Sequence, residues 1–581
     1  MPARHFPRLN FFVPSLGDGG RGGFRFDFFA GLTVAAVAIP QALAYAWVAG
    51  LPAEMGLMAA ALPCAAAALF GSNPYLVTGP TNPTALLLGT SIVMPAVAAT
   101  GHVPVAQVLS VGLLVGLMLL AFALLGIGRT SRFLSDSVIV GFATGTGLLI
   151  ALRLLPELTP KLLRSAHGGG FIPQSWPALQ DAARSLASAD PRALLVAAVT
   201  AGLIVGLRRI DPRFPAALVA LAAASAGSHL LGWGAGPEAL PGIDDFASAW
   251  PHLGAMDVPD LGLLSRPAFA IAILVTLQSV AAARSVRPPP GTRLDPDREL
   301  FGQGAGNLVS AAVGGMVTCG SLTRTAIARS AGGRSRLTAV VAGGVILLGL
   351  PGFGPILATI PMPALVGLVV LSGFELIDPR ALRRAATTRG DAAVLLATLG
   401  STLWIDLVQA LYVGLFLSLA LLVRRSGDLQ IVELVRSPGG RFREIEIDPQ
   451  TGATPAVLLH LEGDLNFAIA GDLSDRLAEI GRHAPGIIFL RLKRARHLDA
   501  TVLETLREAV VQLQARGTRV VLSGLTHDLA AVMEETELGA LLGEDGILRS
   551  GDRLFEGFER STDRARELLG AGSDEAIFRS E

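Results

Sequence analysis

The sequence predicts a polytopic α-helical membrane protein of about fourteen transmembrane segments, arranged as a seven-plus-seven inverted repeat, followed by a soluble α/β domain. Three observations carry this. Hydrophobic residues make up 51% of the 581 and charged residues only 16%, and the apolar runs recur from residue 26 to 424, where ~20 residues suffice to cross ~30 Å of hydrocarbon. Two segments, one in each half, are interrupted by glycine or proline. After Arg425 the pattern changes to short apolar strands separated by amphipathic stretches.

The expected divisions are an N-terminal lead over residues 1–25, a membrane region over 26–425, a cytoplasmic domain over 426–550 and a helical tail over 551–581. The lead carries arginines but lacks a compact apolar core ending in a small-residue cleavage site, so it reads as retained rather than as a signal peptide. Cys64 and Cys319 both lie in apolar context and make no disulfide framework. The formal net charge is +0, and no basic cluster suggests nucleic acid.

Loop charge gives the orientation. Basic clusters precede segment 1 (Arg4, Arg8, Arg21, Arg25) and follow segments 4 (Arg129, Arg132), 6 (Arg208, Arg209, Arg213), 8 (Arg284, Arg287, Arg293), 10 (Arg329, Arg334, Arg336), 12 (Arg380, Arg383, Arg384, Arg389) and 14 (Arg424, Arg425). All of these loops then lie on one side, which makes both termini cytoplasmic. The stretch from Gly232 to Leu264 lacks basic residues and holds Glu238, Asp244, Asp245, Asp257 and Asp260. The 156–192 loop is mixed.

The interrupted segments are the informative ones. Gly79 and Pro80 break SNPYLVTGPTNPTALLLGTSIVMP, and a helix from Pro80 to Met94 would rise only about 22 Å, short of the ~30 Å core. Gly320 and Ser321 precede a second short helix, expected to end near Gly332 and Gly333 after about 17 Å. Such backbone at membrane depth needs protein or a water-filled cavity around it, and a matched pair points to a midplane binding site between repeats. The breaks, Thr78-Gly79-Pro80-Thr81 and Cys319-Gly320-Ser321-Leu322, each head the third segment of a set of seven.

Helix N-termini carry bare N–H groups and about half a positive charge, which favours an anion. Arg324 follows in the first turn of the second short helix, adding a full charge and a fork of donors suited to oxyanions. The alternatives are that Arg324 snorkels to the surface or pairs with a cytoplasmic carboxylate such as Glu299, and that TGPT is an ordinary interhelical turn.

Gln41, just after Pro40, would line a kink in segment 1 and contact substrate, or else make an interhelical hydrogen bond. Tyr45 lies one turn on, on the same face. Segment 8 offers the neutral groups Thr276, Gln278 and Ser279 where a sodium or proton site would want a carboxylate. The four-residue spacings Gly141/Gly145 and Gly302/Gly306 read as close helix packing, and GQGAG does not fit a dinucleotide fingerprint.

In the tail, AVLLHLEG, PGIIFLRLK and TRVVLSGL read as strands, with DLSDRLAEIGRH and ATVLETLREAVVQLQARG as helices. Asp499 and Thr501 fall at a strand-to-helix turn, where the choice is between helix capping and a regulatory hydroxyl. No nucleophile-base or metal constellation stands out, so neither enzymatic activity nor a cofactor or metal is expected.

Four stretches in this order resemble the SulP anion permeases, the family of prestin and pendrin: AGLTVAAVAIPQALAYAWVAGLP, the TGPT break, ELFGQGAGNLVSAAVGG with GSLTRTA, and HLDATVLETL. The tail resembles their STAS domain, and the match runs from about residue 24 to 545. The resemblance implies a core domain moving against a gate domain in an elevator-like cycle, and a homodimer. It implies that Gln41 is a substrate-side glutamine, that Thr78, Gly79, Pro80 and Thr81 form the third-segment break, and that Ser321, Leu322, Thr323 and Arg324 form the tenth-segment substrate loop. Thr501 sits where related anti-sigma-factor antagonists carry a phosphorylated serine. The departure is at segment 8, where sodium-bicarbonate symporters of the family have an acidic residue near Gln278 and a hydroxyl near Ala282, so sodium coupling is not expected.

The expected function is therefore secondary active transport of a small inorganic oxyanion, of the sulfate or bicarbonate class, by elevator-like exchange or uniport across a bacterial inner membrane. The expected partners are that anion, the lipid bilayer, a second copy of the chain and a cytoplasmic protein at the STAS domain. A channel-like or dicarboxylate-transporting protein, a proton-coupled symporter and a membrane-tethered regulatory protein are the alternatives.

Overall fold

The computed structural model describes residues 23–130, 135–154, 158, 189–211, 214–233, 261–286, 288–289, 292–357, 359–426, 430–436, 442–447, 455–462, 469–483, 485–492, 499–525, 527–549, 556–569 and 578. The N-terminal lead and most of the 156–192 and 232–264 loops fall outside them. The chain divides into two compact units, Met1–Ser418 and Leu419–Glu581.

The first unit is helical. Its helices are α1 (Phe24–Val48), α2 (Ala53–Ala60), α3 (Leu62–Phe70), α4 (Asn82–Leu88), α5 (Met94–Thr100), α6 (Val105–Leu125), α7 (Ile127–Thr130) and α8 (Asp136–Leu154). They continue with α9 (Pro191–Ile210), α10 (Ala216–Leu230), α11 (Leu261–Ser285), α12 (Pro296–Ala312), α13 (Leu322–Ser330) and α14 (Leu337–Leu357). The last are α15 (Met362–Glu375), α16 (Pro379–Ala385), α17 (Arg389–Trp404) and α18 (Leu407–Ser426), which runs on past the unit boundary. With α2 and α3 taken as one segment, α4 and α5 as another, and the short α7 and α16 set aside, the described residues hold the fourteen predicted segments.

Eight helical runs among the described residues are long and apolar enough to cross a membrane by themselves. The third segment is one of them, which corrects the expected length. A π-helical turn, Gly89–Val93, joins α4 to α5, so the run Asn82–Thr100 spans 19 residues, or about 28 Å rather than about 22 Å. The tenth segment is shorter than expected, with α13 holding only 9 residues.

Two packing groups form. In one, α12 lies against α3 and α6, α11 against α6, and α14 against α1 and α3. In the other, α8 lies against α15 and α17, and α9 against α10 and α15. Helix α1 touches both, through α10 and α15. Glycines permit the closest approaches. A Cβ on Gly302 would sit 2.6 Å from the Ala67 carbonyl oxygen, and one on Gly141 would sit 2.8 Å from that of Leu395. Small residues let backbones meet in this way where lipid supplies no hydrophobic drive between helices.

Two short strands, β1 (Thr78–Gly79) and β2 (Cys319–Gly320), pair antiparallel, with Thr78 opposite Gly320 and Gly79 opposite Cys319. They occupy the two predicted breaks. Each satisfies the other's backbone at depth, the condition for non-helical chain inside a membrane protein.

The second unit is an α/β domain. Its strands are β3 (Gln430–Arg436), β4 (Phe442–Glu446), β5 (Ala456–Glu462), β6 (Ile487–Arg491), β7 (Arg519–Leu525) and β8 (Ile547–Arg549). They form one sheet in the order β4-β3-β5-β6-β7-β8, parallel from β5 to β8. Helices α19 (Ala470–Ile480), α20 (Ala500–Ala515), α21 (His527–Glu534) and α22 (Glu537–Leu542) lie with one face in a core that includes Leu473, Leu506 and Leu522. Ala565 of α23 (Glu556–Leu569), together with Phe578, packs with Phe489 and Leu458 in a separate cluster. Both expected helices and the three expected strands are present, and β3, β4 and β8 are additional.

Candidate functional site

The β1–β2 crossing is held from several sides. Ser321 N–H donates to the Val77 carbonyl at 3.0 Å, Val77 N–H to Thr325 Oγ1 at 3.2 Å, and Gly320 N–H to Ser279 Oγ of α11 at 3.0 Å. Both helices that leave the crossing are capped by hydroxyls. Thr84 Oγ1 accepts from Thr81 N–H at 3.2 Å, and Ser321 Oγ accepts from Arg324 N–H at 3.3 Å. The first-turn amides beyond these caps have no partner inside their helices. Leu322 and Thr323, which carry two of them, are exposed.

Arg324 is fully buried, at 0% exposure. Its Nη2 donates to the Pro80 carbonyl oxygen at 2.7 Å. Nε and Nη1 are buried with no hydrogen-bond partner. Tyr45, Cys64 and Cys319 lie within electrostatic reach of the guanidinium, and no carboxylate pairs with it among the described residues. Both alternatives for Arg324 fail: it does not snorkel, and Glu299 is committed elsewhere. Glu299 Oε2 accepts from Ser72 N, Ser72 Oγ and Asn73 N, each at 2.9 Å. One part of the expectation also needs correcting, because the guanidinium fork is sealed in this conformation and contributes charge rather than open donors.

Alternation along β1 separates two environments, since successive residues of a strand face opposite ways. Thr78 Oγ1 accepts from Gln303 Nε2 of α12 at 2.8 Å. On the other side, a Cβ on Gly79 would lie 2.9 Å from Arg324 Nη1. Gly79 is thus the surface on which the guanidinium rests, and Thr78 is tied behind it.

Gln278 joins the crossing from α11. Its Oε1 accepts from Cys319 Sγ at 3.3 Å and from Thr81 Oγ1 at 3.4 Å. Gln41 is buried, at 3% exposure, with no partner for its amide among the described residues, and Pro40 lies within an unbroken α1. Tyr45 lies one turn on in α1, which packs against α15, so the site borders the second packing group. Thr78, Gly79, Pro80, Thr81, Gln278, Gly320, Ser321 and Arg324 therefore converge, with Tyr45 and Gln41 on the helix alongside.

Asp499 and Thr501 belong to the other unit. Asp499 caps α20, its Oδ1 accepting from Val502 N–H at 2.9 Å. Thr501 is exposed. One turn on, a hydrogen bond from Arg507 holds the Glu504 carboxyl below its ordinary range.

Sequence reasoning missed Gln303 and Asn307, whereas Ser279, one of the neutral groups expected of segment 8, holds the crossing through Gly320 N–H. The signal for the missed pair was a polar stripe on α12.

A model of the sulfate permease family matches residues 24–398. The chain belongs to the sulfate permease family. A STAS domain model matches residues 444–549. Among sulfate permease relatives, a probable sulfate transporter of Mycobacterium tuberculosis is 30% identical over 542 residues, covering 92% of this chain and 95% of that protein. The bicarbonate transporter BicA of Picosynechococcus is 27% identical over 554 residues, covering 92% and 94%. The solved murine Slc26a9 anion transporter superposes with a TM-score of 0.81 at 18% identity, covering 98% of this chain and 96% of that one. The transmembrane domain of a cyanobacterial BicA gives 0.58 at 26% identity, covering 68% and 97%. The chain is a multi-pass membrane protein of the sulfate and bicarbonate transporter type with a C-terminal STAS domain.

Proposed function

We propose that the chain is a secondary transporter of small inorganic oxyanions, of the sulfate or bicarbonate class, working by elevator-like exchange or uniport without sodium coupling. The observation that carries this is the guanidinium of Arg324, fully buried with one hydrogen bond and two bare donors. An unpaired charge in a low-dielectric interior is costly, and the cost falls when an opposite charge arrives.

An oxyanion beside the crossing supplies that charge. Its oxygens would meet the first-turn amides of Leu322 and Thr323, the amide of Gln278 and that of Gln41, while Arg324 supplies the potential from behind. Tyr45 forms a wall, Gly320 and Ser321 shape the loop, and Thr78, Gly79, Pro80 and Thr81 set where the guanidinium lies. Translocating the loaded group, with its charge compensated, is easier than returning it empty, which favours exchange. The sulfate and bicarbonate transporters among its relatives support the substrate class.

Gln278 offers no charged oxygen to a hard cation, which supports transport without sodium. Loop charge supports cytoplasmic termini in a bacterial inner membrane, and the proposed assembly is a homodimer with Thr501 of the STAS domain open to a partner protein. The test is uptake by purified protein in proteoliposomes, with a panel of competing anions and with or without imposed ion gradients. Saturable, sodium-independent uptake accelerated by internal anion is expected. Large uncoupled currents would establish a channel instead.

A further inference from the structure

Besides Asp297 in its first turn, helix α12 carries four buried polar side chains, Glu299, Gln303, Asn307 and Ser310, which beyond that turn interrupt an apolar and glycine-rich stretch. Their spacing puts them within a stripe of about 80° at 100° per residue. Each one grips a different point of the two crossing loops. Glu299 holds Ser72 and Asn73, where the first loop begins. Gln303 donates to Thr78 at 2.8 Å. Asn307 Oδ1 accepts from Thr318 N–H at 2.9 Å while its Nδ2 donates to the Thr318 carbonyl at 3.0 Å. Ser310 donates to the Met316 carbonyl at 2.6 Å.

We propose that this stripe is a mount that sets the register of both broken segments, and that Gln303 is a positioning residue for anion binding, acting on Arg324 through Thr78 and Gly79. The grips are independent of each other, and they come from a single rigid element. Gln303 is fully buried, and its Oε1 has no partner. An amide buried with a bare acceptor is poor packing material, so what it contributes is the bond to Thr78. That bond fixes one side of β1, and the other side of the same strand is the seat of the guanidinium. A Thr78 free to rotate lets the Gly79–Pro80 peptide tilt, and Arg324 loses both its seat and its hydrogen bond to Pro80.

This assignment rests on the anion-site proposal, and the experiment separates the two. Full-length protein in proteoliposomes is assayed for concentration-dependent sulfate and bicarbonate uptake as the unmodified chain, Gln303→Met, Thr78→Val, the double variant and Arg324→Ala. The expected result is a rise of about tenfold in half-saturating anion for Gln303→Met and for Thr78→Val, with no further rise in the double variant because the two share one bond. A second readout needs no transport. In a Cys64→Ala background the remaining cysteine is Cys319, buried in the crossing, and Gln303→Met is expected to raise its labelling rate by a membrane-permeant thiol reagent severalfold.

Unchanged half-saturation, or independent multiplicative effects of Gln303→Met and Thr78→Val, overturns the positioning role, as does unchanged Cys319 labelling. If Gln303→Met does not fold, Thr78→Val and Asn307→Asp decide by the same two readouts. If Arg324→Ala transports normally, or the unmodified chain takes up neither anion, the site proposal itself falls, and Cys319 labelling still judges the mount.

Discussion

Gly79 and Arg324 are in contact across the two broken segments: a Cβ at Gly79 would lie 2.9 Å from Nη1 and 3.2 Å from Nη2 of the guanidinium. No side chain fits between that strand and that charge. Gly79→Ala should therefore push the guanidinium off Pro80 and weaken anion uptake about tenfold, equivalent to about 1.4 kcal/mol. Uptake kinetics identical to the unmodified protein would show that the contact does not matter.

Arg324 pairs function against stability. A buried unpaired charge is costly, and an apolar side chain of similar length in its place removes that cost. Arg324→Met should abolish detectable anion binding while the unfolding temperature in detergent holds or rises. A fall in that temperature together with retained binding would reverse the assignment.

Sodium is the next discriminator. Replacing sodium by choline on both sides of the membrane should leave uptake within about twofold, because Gln278 presents an amide where a hard cation would want a carboxylate. A strict requirement for sodium would mean that another group coordinates it.

The contact of α12 with α3 can be probed apart from the site. A Cβ on Gly302 would sit 2.6 Å from the Ala67 carbonyl oxygen and 2.7 Å from Gly71 N, both backbone atoms that give way poorly. Gly302→Ala should destabilise the membrane unit by about 1–3 kcal/mol, measured as a lower unfolding temperature. An unaltered temperature would place the helices farther apart than described.

In the second unit, Asp499→Ala should loosen the start of α20 by about 1 kcal/mol, the usual contribution of an N-cap. Hydrogen exchange at Val502 and Leu503 in the full-length protein reads this directly. Exchange there that does not speed up would remove the capping role and leave Asp499 for another purpose.

The fold was readable because membrane segments announce themselves by length and hydropathy, and because breaks such as Thr78–Thr81 and Cys319–Leu322 use glycine, proline and hydroxyl residues that few helix interiors tolerate. The lengths of the two broken helices were not readable. Met94 and Pro95 look like an end, yet a π-turn carries the helix to Thr100. The packing glycines were legible from spacing alone. Gln303 and Asn307 sit beside those glycines, and polarity on a helix says nothing about which loop it will face.

By itself, the sequence determined the number of segments, where two of them break and that an α/β domain follows the membrane unit. All of these follow from local composition and periodicity. Only the tertiary structure decided that Arg324 bonds Pro80, 244 residues away in the chain, that its fork is sealed, and that Glu299 holds Ser72 and Asn73 instead of the arginine. A buried polar group takes whichever partner the packed helices bring within about 3 Å, and which helices pack together is a property of the whole assembly of segments.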